Sequence, residues 1–175
     1  FGVQLVAYFS LNLSGAWRKF VIAMIVVMSA GEVLSEFTDW LAAPLVGLCA
    51  QLLFFCGMMI AASRQALFTG DIEANTIAGT ISVYLLMGLV WATLYLIALE
   101  FWPGAFNGIE YRDWNDNMGP ITYYSYVTLT TLGYGDVSPA VPVTKVLAYL
   151  QAIAGTFFMA VVVASFIGAL SRKSK

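Results

Sequence analysis

Thr130-Thr131-Leu132-Gly133-Tyr134-Gly135-Asp136 is the stretch on which the reading of this chain turns. An ordinary strand points successive backbone carbonyls to alternate sides. Residues at positive φ break that alternation, and glycine visits positive φ without a Cβ penalty. Gly133 and Gly135 are placed to do this, so that several carbonyls in a row can face one axis. Such a row offers a dehydrated cation a set of equivalent oxygens.

The stretch closes a short run, Ile121 to Thr130, that opens on Gly119-Pro120. Proline at a first helical position is a start signal, so a helix is expected over 120–130. Eleven residues are too few to cross a bilayer, whose core takes about 20. A run of this kind suits a re-entrant helix buried in protein. Before it, residues 101–119 form a polar, aromatic, Gly/Pro-rich stretch.

The surrounding chain is apolar. Of 175 residues, 61% are hydrophobic and 10% charged. A soluble domain carries roughly 25% charged residues, and the excess apolar surface needs lipid as solvent. The fold class expected is an all-α integral membrane protein. Uncharged spans run over Trp40–Ser63, Thr76–Leu99 and Val146–Ser171. A less clean one covers Phe20 to Phe37, with Glu32 and Glu36 in its second half. Phe1 to Leu13 reads as the tail of a truncated span, so the chain is expected to be incomplete at its start.

Basic residues give the orientation, because cytoplasmic loops carry the excess of Lys and Arg. With Arg172, Lys173 and Lys175 inside, alternating the spans places Arg18, Lys19 and Arg64 inside too, six of the eight basic residues. Most acids, including Glu100, Glu110, Asp113, Asp116 and Asp136, then fall at the outer side. The re-entrant segment lies on that outer face. The expected location is the plasma (cell inner) membrane, multi-pass, with a cytoplasmic C-terminus.

The net charge of −2 points to no nucleic-acid partner, and the chain has no histidine. That removes the commonest general base and zinc ligand. With no nucleophile motif either, an enzyme is the least favoured class, and no cofactor is expected. Cys49 and Cys56, seven apart on one helix, sit about 10 Å apart, too far to bridge. They read as small buried hydrophobes.

The sequence Thr131-Leu132-Gly133-Tyr134-Gly135-Asp136 resembles the filter signature T-x-G-Y-G-D of the potassium channel family. The resemblance implies that carbonyls of Thr131, Leu132, Gly133 and Tyr134 form the K+ sites, with Gly135 closing the filter over 131–135. The Thr131 hydroxyl completes the innermost site, and four chains surround the ion. The partners implied are three further copies of the chain, the lipid bilayer and K+. Asp136 stands at the outer mouth. Tyr123, Tyr124 and Thr130 are expected to support the filter, Tyr123 and Tyr124 (with Tyr126) by bracing Tyr134. Leu132 departs from the more usual Val. Val127 stands where some members carry a Glu that pairs with the Asp after the filter, so that pairing is unavailable here.

On this reading residues 75–175 are the pore domain, with an outer helix 76–99, the pore helix 120–130 and an inner helix 143–171. Residues 1–74 form an N-terminal helical membrane region. Within the inner helix, Gly155 is expected to be a gating hinge, with close packing as the alternative. Thr156, Met159, Val163 and Ile167 share one helix face and are expected to line the cavity. The layout is similar to six-span bacterial channels that lack an arginine voltage-sensor ladder. A voltage sensor needs Arg or Lys at every third position, and the span Trp40–Ser63 has none. Competing readings are a weakly selective cation channel, against which the intact Tyr134 argues, and a transporter with four degenerate filters on one chain. A non-conducting regulatory subunit is a third.

Overall fold

In the computed structural model, the described residues are 19, 22–27, 42–67 and 74–173. The proposed spans at Phe1–Leu13 and, apart from the helical residues 22–27, Phe20–Phe37 lie outside them. Four long helices and two short strands follow in chain order: α1 Ala42–Leu67, α2 Ala74–Phe101, β1 Phe106–Asn107, α3 Trp114–Leu129, β2 Ser138–Pro139 and α4 Pro142–Lys173. Three of the helices contain stretches long and apolar enough to cross a membrane: Pro44–Arg64, Thr76–Phe101 and Pro142–Gly168. The protein is an all-α, multi-pass integral membrane protein.

The chain divides into two units, residues 1–54 and 55–175. In the first unit, residues 22–27 are helical. An open apolar groove there is lined by Met24, Val27, Leu45, Cys49 and Leu53. The cysteines are unpaired, as their spacing requires, but they are not buried. Cys49 is exposed and Cys56 half-buried. Val46, Leu53 and Ile60 of α1 are exposed as well. A helix in lipid gains nothing by hiding such side chains from water, because hydrocarbon already solvates them.

In the second unit, α3 packs against both α2 and α4. Its core is aromatic. Tyr95 of α2, Phe106 of β1 and Tyr124 of α3 meet edge to face, with ring centroids 5.0 to 5.5 Å apart. Such pairs contribute about 0.5–1.5 kcal/mol each beyond area burial. Two glycines admit the close approach of α3 to its neighbours. Gly88 of α2 lies under the ring of Tyr126, and Gly155 of α4 lies against the carbonyl of Leu129, leaving no space for a Cβ at either. Small residues at contacts are how membrane helices come within backbone distance. The helix α4 runs unbroken through Gly155, and the glycine makes a close packing contact there.

The helix start signal at Pro120 is overridden. The helix begins at Trp114, six residues earlier, and Pro120 lies inside it. Asp116 and Asn117 donate their backbone N–H groups to the Asp113 carbonyl (2.9 and 3.1 Å), and the buried Asn117 amide ties back to the Arg112 carbonyl (2.7 Å). These bonds hold the extra turns. Pro120 forfeits one intrahelical bond, to the Asp116 carbonyl. Both residues are exposed, so water can donate to that carbonyl in place of the missing N–H. With 16 residues α3 is about 24 Å long, short of the roughly 30 Å hydrocarbon core.

The strands form a two-residue antiparallel ladder, Phe106 opposite Pro139 and Asn107 opposite Ser138. It stitches the segment after α2 to the segment before α4. Ala140 N–H to the Ala105 carbonyl (2.9 Å) and the buried Thr144 hydroxyl to the same carbonyl (3.0 Å) extend the stitch.

Candidate functional site

The segment 130–136 leaves the C-terminus of α3 through a complete Schellman closure. Thr131 N–H donates to the Thr128 carbonyl (3.0 Å) and Leu132 N–H to the Val127 carbonyl (2.9 Å). Gly133 N–H also reaches the Val127 carbonyl, at 3.3 Å. The residue in the left-handed position of this closure is Thr131, with φ +58°. Glycine usually stands there. A β-branched residue at positive φ is a true outlier, and such strain costs of order 1–3 kcal/mol. It persists only because its surroundings hold it.

Beyond Thr131, Gly133 has φ +61° and Gly135 φ +82°, while Leu132 and Tyr134 between them keep negative φ. Positive φ therefore recurs at every second residue, 131, 133 and 135. Alternation of left- and right-handed residues aligns successive peptide units, with N–H groups to one side and carbonyls to the other. The N–H groups of Thr131, Leu132 and Gly133 are the ones that fold back on the end of α3. Residues 131–136 are all exposed, Tyr134 to 67%. Neither Gly133 nor Gly135 has any atom within 4 Å of where a Cβ would stand. Their constraint is the backbone conformation and not space.

At its C-terminal end the segment is held by its own chain. Asp136 Oδ2 accepts a hydrogen bond from the Tyr123 hydroxyl at 2.8 Å. That bond holds the Tyr123 hydroxyl proton and pushes its pKa above the usual tyrosine range. Gly108, at φ +81°, backs directly onto the Asp136 carbonyl, where a Cβ has no room. The β1–β2 ladder begins two residues further on, and Asn107 Nδ2 donates to Ser138 Oγ at 3.2 Å. The loop between α2 and α3 thus buttresses the C-terminal end of the segment.

The three tyrosines of α3 diverge. Tyr123 reaches Asp136. Tyr124 points into the aromatic core with Tyr95 and Phe106. Tyr126 donates its hydroxyl to the Leu85 carbonyl of α2 at 2.7 Å. Tyr124 and Tyr126 thus fix α3 itself, and through α3 the segment that follows. The Thr130 hydroxyl bonds back to the Tyr126 carbonyl at 2.7 Å, closing the last turn.

Further along α4, Thr156, Met159, Val163 and Ile167 are all exposed, but so are Phe157 and Val161 on other faces. The Thr156 hydroxyl is spent on the Ala152 carbonyl (2.9 Å). Beyond Gly155 two apolar faces of α4 are therefore open, and in a membrane either lipid or a neighbouring helix covers them. Sequence reasoning singled out Gly133 and Gly135 for positive φ and missed Thr131. The signal available was its place as the second residue after Leu129, where a helix end needs a left-handed residue. Among the described residues no group of His, Cys, Asp and Glu side chains is arranged to hold a metal ion.

No curated protein and no solved structure matches the chain. The sequence model of one family, the ion channels, matches residues 83–172, just over half of the chain, and that match spans α3, the 130–136 segment and nearly all of α4. The chain belongs to the ion channel family.

Proposed function

We propose that the protein is the pore-forming subunit of a potassium-selective channel, assembled as a homotetramer, and that residues 131–135 are its selectivity filter. The observation that carries this reading is the positive φ at Thr131, Gly133 and Gly135 and the negative φ between. It lets the carbonyls of Thr131, Leu132, Gly133 and Tyr134 face one line, as a desolvated potassium ion requires. One chain supplies these oxygens from one side only. Encircling an ion takes copies related by a closed rotation, and the filter signature implies four. The exposure of the segment in the single chain supports the same reading, since a row of polar backbone groups cannot face lipid.

In this account the carboxylate of Asp136, held by Tyr123, stands at the outer mouth and raises the local cation concentration. The carbonyl end of α3 carries partial negative charge and favours a cation in the cavity beneath. Gly155 holds the inner helix against that end of α3, and any gating movement bends α4 elsewhere or moves both helices together. Thr156, Met159, Val163 and Ile167 line the cavity, and Phe157 and Val161 face a neighbouring subunit or lipid. The C-terminus lies in the cytoplasm, and the bilayer is the plasma membrane.

The test is potassium uptake into liposomes holding the purified protein, with sodium as competitor. Uptake that prefers potassium, and is lost in Gly133→Ala, is expected. Equal uptake of the two ions contradicts the reading.

A further inference from the structure

We infer that Gln151 is a positioning residue for the filter, acting through a buried hydrogen-bond relay that fixes the register of α3 between α2 and α4. The inference rests on the reading of residues 131–135 as a filter. Tyr95 Oη donates to Gln151 Oε1 at 2.6 Å. Gln151 Nε2 donates to the Ser125 carbonyl at 2.9 Å and to Ser125 Oγ at 2.8 Å. Ser125 Oγ donates in turn to the Gly88 carbonyl at 2.7 Å. Tyr95, Ser125 and Gln151 have no exposed surface.

The direction of every proton in the relay is determined. A main-chain carbonyl only accepts, so the amide nitrogen of Gln151 must face Ser125 and its oxygen must face Tyr95. Tyr95 is then the donor. Both amide hydrogens are used, and the serine proton has one remaining acceptor, Gly88. A network satisfied in this way is strong in a low dielectric, and it has no water to fall back on in a membrane.

Geometry makes the relay a register device. Gln151 meets Ser125, and four residues later Gly155 meets the carbonyl of Leu129, itself four residues after Ser125. The two contacts advance together, one turn apart on both helices. A slide or rotation of α3 against α4 loses the polar contact and drives Gly155 into the wrong side chain. The end of α3 in turn holds the filter, because the Val127 carbonyl between Ser125 and Leu129 accepts from Leu132 and Gly133. Displacement of α3 therefore moves the filter oxygens directly.

The test compares wild type, Gln151→Met, Tyr95→Phe and Leu96→Ala, each as full chain in liposomes. It measures the sodium-to-potassium flux ratio and the thermal midpoint of the purified assembly. Gln151→Met keeps the volume and removes the relay, and the flux ratio is expected to rise about tenfold, the scale of a lost buried hydrogen-bond pair. Tyr95→Phe removes one bond of the relay and should raise it less. Leu96→Ala opens a cavity in the same buried core outside the relay; it should lower the midpoint and leave the ratio unchanged. An unchanged ratio in Gln151→Met, or an equal rise in Leu96→Ala, overturns the positioning role. Should Gln151→Met fail to assemble, the ratio of Tyr95→Phe decides, and a wild-type value overturns the role. A wild type that does not prefer potassium removes the filter reading itself, which separates that failure from failure of the relay.

Discussion

At the scale of single residues, the backbone of Thr131 carries more of the argument than any side chain. Its left-handed conformation serves two ends, closing α3 and starting the alternation that aligns the carbonyls. Thr131→Gly should therefore keep or raise the thermal midpoint by up to about 1 kcal/mol equivalent, because glycine adopts this conformation freely. The same change removes the hydroxyl at the inner end of the row and should lower potassium preference. Gly133→Ala and Gly135→Ala have open space around them yet should each cost about 1–2 kcal/mol, read as a drop in thermal midpoint. Tyr123 adds a pH expectation. Its pKa is raised, first by the bond to Asp136, so that bond is fully present below about pH 10 and is lost as pH rises through the higher folded value. Currents through the reconstituted channel should hold steady between pH 7 and about pH 10, and Tyr123→Phe should remove the alkaline loss. A steep change near neutrality in wild type that Tyr123→Phe abolishes would contradict this.

Among the helices, α3 is the element that α2 and α4 position. It is clamped by Gly88 under Tyr126 on one side and by Gly155 against Leu129 on the other. The obstacle at Gly155 is backbone, which cannot swing aside as a side chain can. Gly155→Ala should thus destabilise the assembly by about 1–3 kcal/mol, the range for overpacking, measured as a shift in thermal midpoint. Had the glycine served only to bend α4, alanine would stiffen the helix with no such loss. The long spans were legible from the sequence because uncharged apolar runs of this length have few other fates. The start of α3 was not. Proline is a strong local signal, and the bonds that carry the helix past it depend on Asp113, Arg112 and Asn117 meeting in space. The positive φ of Gly133 and Gly135 could be read from their spacing. Tertiary relations, namely the divergence of Tyr123, Tyr124 and Tyr126 and the relay through Gln151, leave no periodic trace in the chain.

For the molecule as a whole, membership of the ion channel family joins a helical membrane fold to a segment whose carbonyls can share one axis. The single subunit leaves that segment exposed, and the proposed filter requires three more copies to close it. Native mass measurement of the protein in mild detergent should give four chains per particle. The only basic residue in α1 is Arg64, at its last turn. Conductance is therefore expected to vary shallowly with voltage, since steep dependence needs several charges within the membrane. The most direct test of the central claim is the reversal potential of the reconstituted channel, with potassium on one side and sodium at equal concentration on the other. The account predicts reversal at least about 59 mV from zero, the shift that a tenfold preference gives for a monovalent ion, in the direction of potassium selectivity. Reversal at zero contradicts it.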